Sequence, residues 1–322
     1  MDWSTFFVLL VNGLTLGSVY ALIALGYTMV YGILKLLNFA HGEIYMFGAF
    51  AGYGILNIFG APGTPGIPFN PGIPIALLLI LMFGAGMAAS SLLGVVVERV
   101  AYRPLRNAPR IAPLISALGV SFFLQNAALL LFTSNFRTYD TYDLGIKQGQ
   151  VLGPLFSIGI HIGNLNIALV QIIVMATAVG LCIALTLFVG RTQTGRAMRA
   201  TSVDREAAAM MGIDVDRVVM VTFLLGSALA GAAGVMTGLV FQRVFHYMGF
   251  EAGLKGFTAA VVGGIGSIPG AMVGGLMIGL IESFAQGYVS TTFYLAVVFS
   301  ILIIFMLVRP YGLFGKRELT KV

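Results

Sequence analysis

Residues 32–50 read GILKLLNFAHGEIYMFGAF, and the polar residues Lys35, Asn38, His41 and Glu43 stand there between two long uncharged stretches. Trp3–Leu34 carries no charge, and neither does Ile44–Val97. A helix rises about 1.5 Å per residue and needs about 20 apolar residues to cross a bilayer core. Two such stretches around a short polar break therefore read as membrane-crossing helices meeting at a tight junction.

The same pattern continues outward. Ile111–Phe136, Val218–Gln242, Gly256–Ile281 and Ser283–Val308 are also uncharged. Of 322 residues, 58% are hydrophobic and 9% charged, against roughly 25% charged in an average soluble domain. The reading is an all-α polytopic membrane protein of about 8–9 transmembrane helices, with helix breaks near 34–42 and 263–270. Expected spans lie near 5–33, 42–58, 74–98, 112–133, 166–190, 217–241, 270–289 and 293–308, with a short apolar segment at 257–266 that crosses or re-enters. The first apolar run lacks the basic leader of a cleavable signal peptide. One cysteine, Cys182, lies in an apolar run, which leaves no disulfide and no cysteine cluster for zinc.

The formal charge of +6 follows from topology rather than nucleic acid, because Lys and Arg gather on the cytoplasmic side. Arg99, Arg103, Arg106 and Arg110 form one cluster. Arg191, Arg196, Arg199, Arg205 and Arg217 form a second, and Arg309, Lys316, Arg317 and Lys321 a third. Placing all three inside puts the turn-rich stretch 59–73, the segment 134–165 and the segment 242–256 outside. The N-terminus is then expected outside and the C-terminus inside.

Small residues recur every fourth position at Gly13/Gly17/Ala21, Gly226/Ala230/Gly234/Gly238 and Gly266/Gly270/Gly274, ridges that let membrane helices approach closely. The second break, VVGGIGSIPGAMVGG (Val261–Gly275), places Gly263, Gly264 and Gly266 in an uncharged run. Non-helical backbone at membrane depth is tolerated where it is buried in protein or lines a cavity, and paired interruptions point to a transport path. Asn38, His41 and Glu43 are open to two compatible readings, a cap for the second helix or a pathway gate. One histidine and one carboxylate fall short of a metal site. Gln125, Asn126 and Glu282 are further polar residues beside the path, the first two also suited to bonding between helices.

The segment 190–217 is a charged inner loop. It reads as a helix around Gly195–Ser202, a capping turn at Ser202 to Asp204, and a helix Arg205–Met211 stopped by Gly212. Its Glu206-Ala207-Ala208-x-x-x-Gly212 resembles the EAA loop of ABC importer permeases. The blocks NGLTLGSVYALIALGYTMVYGILKLLNFAHGEIYMFGA, ERVAYRPLR, LISALGVSFFLQN and GFTAAVVGGIGSIPGAMVGGLMIGLIES resemble the LivH-type membrane subunit of high-affinity branched-chain amino-acid ABC transporters. Related families that move urea or short amides share much of the NFAHGE block.

That resemblance implies a single transmembrane permease domain over 1–322. It also implies an ATPase-coupling surface at Gly195, Arg196, Arg199, Glu206, Ala207, Ala208 and Gly212, and a path or gate at Asn38, His41, Glu43, Gly263, Gly264 and Gly266. The implied partners are a second, homologous permease subunit, two cytoplasmic ABC ATPase subunits and a periplasmic amino-acid-binding protein. The implied location is the bacterial inner membrane. No G-x-x-x-x-G-K-[ST] loop is present, FGKREL being the nearest approach. The subunit is therefore expected to need no cofactor, ATP being hydrolysed by its partners. A proton-coupled carrier would rely on Glu43, Glu282, His41 and Glu98 and bring no ATPase. A membrane enzyme would need a nucleophile or metal cluster that His161 and His246 do not supply.

Overall fold

Trp3–Leu34 forms one helix, α1, of 32 residues, about 48 Å long. It ends where Lys35 adopts a left-handed backbone, φ 54°. In this computed structural model the described residues are 3–59, 74–106, 108–109, 111–139, 159–162, 165–309 and 311–315. The stretch 60–73, the segment 140–158, Arg110 and the basic tail 316–322 lie outside them.

After the break come α2 (His41–Phe59), α3 (Ile75–Val97) running into a π turn at Glu98–Tyr102, and α4 (Ile111–Phe132). Then follow α5 (Leu169–Arg191), the short α6 (Gln193–Val203) and α7 (Arg205–Met210), and the long α8 (Val215–Phe241). The chain closes with α9 (Met248–Gly263), α10 (Ile268–Phe284) with a π turn at Ala285–Val289, and α11 (Tyr294–Val308). β1 (Arg137–Thr138) pairs antiparallel with β4 (Arg243–Val244), tying the segment after α4 to the one after α8. β2 (Gly159–Ile162) and β3 (Leu165–Ala168) form a hairpin before α5.

The small-residue ridges meet one another. A Cβ on Gly17 would lie 2.7 Å from the Leu276 Cα, and Gly275 and Gly279 of α10 lie against the backbones of Ala21 and Gly17. Gly274 instead faces Ala259 and Gly263, so α10 uses adjacent glycines to pack on α1 and α9. α8 runs through the centre, with Gly226 against Gly26 of α1, Gly231 against Gly86 of α3, and Gly234 against Tyr45 and Ala49 of α2. Lipid tails are as apolar as leucine, so this close van der Waals contact between backbones supplies much of what holds the bundle together. Phe122, Phe123 and Leu130 of α4, Val179 and Ile183 of α5, and Ile303 and Leu307 of α11 are exposed, as membrane-facing residues must be.

Among the described residues, six helices are long and apolar enough to cross a membrane: α1, α3 and α10 each with its π turn, α4, α5 and α8. α2, α9 and α11 are shorter, at 19, 16 and 15 residues. Two expectations need correction. The segment 242–256, left outside the expected helices, is from Met248 the first half of α9, with Gly249, Ala252, Gly253, Lys255 and Gly256 buried. The short segment 257–266 is consequently the second half of α9 and its turn. That turn joins α9 to α10 at the break expected near 263–270. It sits where α1 ends, with the Gly32 Cβ position 3.9 Å from the Gly266 Cα, and the amides of Leu313 and Phe314 donate to the Val262 and Gly263 carbonyls, both at 3.0 Å. The chain past α11 thus satisfies acceptors that the end of α9 would otherwise leave open.

Candidate functional site

The polar break near residue 38 folds inward. The Asn38 Oδ1 accepts from the Ala40 amide at 3.1 Å and from the Tyr102 hydroxyl at 3.1 Å, so Asn38 supplies the turn that starts α2 and ties it to the π turn after α3. The His41 ring lies edge-on to Tyr27 of α1, centroids 4.7 Å apart. It fits only because Gly26 has no side chain, since a Cβ there would collide with the imidazole. The Glu43 Oε1 accepts from Ser121 of α4 at 3.2 Å, and its Oε2 lies 2.6 Å from where a Gly249 Cβ would be.

Asn38, His41 and Glu43 are each 1% exposed. Among the described residues, the buried side-chain atoms without a hydrogen-bond partner are Thr28 Oγ1, Asn38 Nδ2, His41 Nε2, Glu43 Oε2 and His246 Nδ1. Four of the five belong to α1 and this junction. Leaving a buried polar atom unsatisfied costs about 1–3 kcal/mol, more for a charged group, so the cluster is far more polar than a helix cap requires. Asn38 holds the turn just ahead of α2. The Glu43 carboxylate is turned toward α4 and α9.

Gly263 and Gly264 sit differently. Gly263 packs on the Gly270 backbone and Gly264 (φ 106°) on Gly315, while a Cβ on Gly266 (φ 95°) would meet nothing within 4 Å. These glycines make the α9–α10 turn and are not brought to the Asn38 cluster. Asn126 is exposed and donates to the Phe122 carbonyl of its own helix at 2.8 Å, so it does not bond between helices.

The loop 190–217 is ordered by its own caps. Thr192 Oγ1 accepts from the Gly195 amide at 3.0 Å. Asp204 Oδ1 accepts from the amides of Glu206 and Ala207 at 2.9 and 3.0 Å. Asp204, and not Ser202, is therefore the cap of α7; the Ser202 hydroxyl donates backward to the Arg199 carbonyl at 2.7 Å. Gly212, φ 83°, ends the helix in the left-handed region that glycine tolerates. Gly195 is buried against the Phe188 and Val189 carbonyls, and Arg199 also bonds the Val189 carbonyl. Ala208 is buried, whereas Arg196, Glu206 and Ala207 are exposed. Val203, Met210 and Met211 are more than 80% exposed, apolar side chains on a charged loop.

This loop is bonded to the first break. Arg205 Nη2 and Nε donate to the Ile33 carbonyl at 2.6 and 3.0 Å. Desolvation and the neighbouring Arg106 charge lower the Arg205 pKa from its ordinary value, though a guanidinium stays protonated. Arg106 bridges Glu98, at 2.9 Å, and Asp216, and Arg103 reaches Asp216 at 2.6 Å. The π turn after α3 is thereby fixed to the start of α8.

Of one further group the sequence offered only Glu282 as a polar residue beside the path, and Lys255 and Glu251 were missed. Lys255 is 4% exposed and Glu282 2%, and Lys255 Nζ lies 2.8 Å from Glu282 and 2.7 Å from Glu251. The i, i+4 spacing of Glu251 and Lys255 was the available signal that 248–256 is helical, and the glycines at 249, 253 and 256 obscured it.

A family model described as branched-chain amino acid transport system, permease component, matches residues 9–307. The chain belongs to that family. It is 41% identical over 313 residues to the high-affinity branched-chain amino acid transport system permease protein BraD of Pseudomonas aeruginosa, covering 97% of each chain. It is 42% identical over 315 residues to the corresponding LivH protein of Escherichia coli, covering 97% of this chain and 96% of the other. A more distant likeness, 27% over 221 residues, is to the fructose import permease protein FrcC of Rhizobium meliloti, covering 66% of this chain and 56% of that one. No solved structure matches. The family's permease is a membrane component, in keeping with the six long apolar helices.

Proposed function

We propose that this chain is the membrane-spanning subunit of an ATP-driven importer of branched-chain amino acids in the bacterial inner membrane. The observation that carries this is identity of about 42% over 97% of the chain to permease proteins named for that transport. The working assembly comprises a second, homologous permease, two cytoplasmic ATPases and an external amino-acid-binding protein. ATP is hydrolysed by the partners.

In this reading α2, α9 and α11 cross together with the six long helices, giving nine traverses, with the N-terminus outside and the C-terminus inside. The basic clusters support that orientation, as does the placement of the α9–α10 turn beside the end of α1. The loop 190–217 meets an ATPase through α7 and the exposed Val203, Met210 and Met211, with Gly195, Arg196, Arg199, Glu206, Ala207, Ala208 and Gly212 shaping or flanking that surface. Asn38, His41 and Glu43 form the gate. Gly263, Gly264 and Gly266 form the turn that closes the inner end of the path.

The test is uptake of labelled leucine into vesicles holding the complete set of partners. Uptake that needs ATP and the binding protein is the expected result. Uptake driven by a proton gradient without ATP would overturn the reading in favour of a secondary carrier. ATP-driven uptake of fructose, urea or short amides in place of leucine would retain the importer and replace its substrate.

A further inference from the structure

Lys255 and its partners line a cavity of about 280 Å³ between α1, α8, α9, α10 and the start of α11. Glu282 Oε1 accepts from Lys255, and its Oε2 accepts from the Tyr20 hydroxyl at 2.9 Å. The Lys255 ammonium also stands over the rings of Tyr294 and Tyr20, 5.0 and 5.7 Å from their centroids. Buried ions cost several kcal/mol each in lost hydration, and a well-packed apolar substitute is often as stable. The α1–α10 crossing is already made by glycines, so the fold gives no reason to retain these charges. Ionisable groups inside a membrane protein are by default functional.

The charges balance in a telling way. Two carboxylates share one buried ammonium, an excess of one negative charge, while exposed Arg243 at the mouth carries the opposite sign. The four side chains sum to zero. A ligand carrying one positive and one negative group enters without changing that sum. The remaining wall includes Leu16, Val19, Phe241 and Met248. The volume is just below the roughly 300–1,000 Å³ typical of ligand pockets, suited to a small molecule.

We infer that this cavity is a binding site for a free α-amino acid with an aliphatic side chain. The ligand's ammonium lies among Glu251, Glu282 and the tyrosine rings, its carboxylate lies toward Arg243 and Lys255, and its side chain packs against Leu16 and Phe241. The substrate class rests on the importer reading above; the site itself rests on the cavity and its charges. The subunit would then carry its own contact with substrate after the binding protein releases it.

The experiment is saturation-transfer NMR on the nanodisc-embedded transporter, complete except for the binding protein. The probes are leucine, leucinamide (no carboxylate) and 4-methylpentanoate (no ammonium). Leucine should give a saturable signal, and each one-charge analogue should bind about ten- to a hundredfold more weakly, the loss of one charge-assisted contact. Glu282→Gln and Ala252→Phe should each weaken leucine by at least about tenfold. If either variant fails to accumulate, the probe comparison on the unaltered protein still decides. Equal signals from the three probes, no leucine signal, or undiminished binding in both variants would overturn the site. ATP-driven leucine uptake alongside such a result would sink this inference alone; absence of uptake by the complete unaltered transporter would sink the importer reading instead.

Discussion

Arg205 and Ile33 are joined by two hydrogen bonds from one guanidinium to one carbonyl, at 2.6 and 3.0 Å. The carbonyl is in the last turn of α1, two residues before the backbone reverses at Lys35, and Arg205 is the first residue of α7. A displacement of α7 therefore pulls directly on the end of the helix that precedes the Asn38–Glu43 cluster.

Arg205→Gln should break this connection. A hydrogen bond from a charged group is worth roughly 1.5–3 kcal/mol, and lysine cannot reproduce a two-nitrogen grip on one oxygen. Both Arg205→Gln and Arg205→Lys should assemble with the ATPases yet hydrolyse ATP with several-fold less leucine moved per ATP. An unchanged ratio in reconstituted vesicles would show that the bond transmits nothing.

Gly212→Val should impair coupling by a different route. The left-handed backbone at φ 83° costs a side-chain-bearing residue roughly 1–2 kcal/mol, so the end of α7 unwinds and its exposed methionines shift. Glu206→Lys should weaken docking without that distortion. Copurification of the ATPase should fall in both variants while the permease inserts at normal abundance. Full ATPase recovery would remove α7 from the docking surface.

At Glu43 the two possible roles separate cleanly. Glu43→Gln retains a hydrogen-bonding oxygen for Ser121 but loses the charge, and Glu43→Ala loses both. A gate predicts that both variants accumulate and assemble while uptake falls at least tenfold relative to ATP hydrolysis. A purely structural junction predicts near-normal uptake by Glu43→Gln and lower thermal stability of Glu43→Ala by about 1–3 kcal/mol. Normal uptake and normal stability in both would rule out either role.

Orientation can be read with single cysteines at exposed positions. In a Cys182→Ala background, Val203→Cys and Thr138→Cys should be labelled from opposite sides of the membrane by an impermeant maleimide. Val203 is 88% exposed, whereas Thr201, two positions earlier, is buried at 1% and would label poorly from either side. Labelling of both positions in intact cells would invert the docking assignment.

Packing can be tested at Gly275. Its Cβ would collide with the Ala21 backbone, and overfilling a tight contact typically costs 1–3 kcal/mol. Gly275→Val should lower the thermal stability of the detergent-solubilised protein by about that amount. Gly84→Ala, at a position where a Cβ meets nothing within 4 Å, should change it little.

Uncharged length made most of the bundle legible, because the cost of charge in lipid writes itself into composition. The same logic misled at α9. Glu251 and Lys255 look like loop residues until Glu282, 27 positions away, is seen to share the Lys255 ammonium, and no local window contains that partner. The break at Asn38 was legible as a junction, but its depth was not. Burial of His41 depends on Gly26, and that of Glu43 on Gly249, and such pairings arise only when helices distant in sequence meet. At α7 the EAA spacing located the helix, while the choice between Ser202 and Asp204 as cap turned on side-chain geometry that spacing does not encode.

The amides of Leu313 and Phe314 serve carbonyls at Val262 and Gly263, 51 residues earlier in the chain. At about 5–20 residues per second of synthesis, the end of α9 emerges from the ribosome roughly 3–10 s before the residues that finish it. Until those residues arrive, the Val262 and Gly263 carbonyls lack these partners. Closure of this end of the bundle therefore waits on the chain beyond α11.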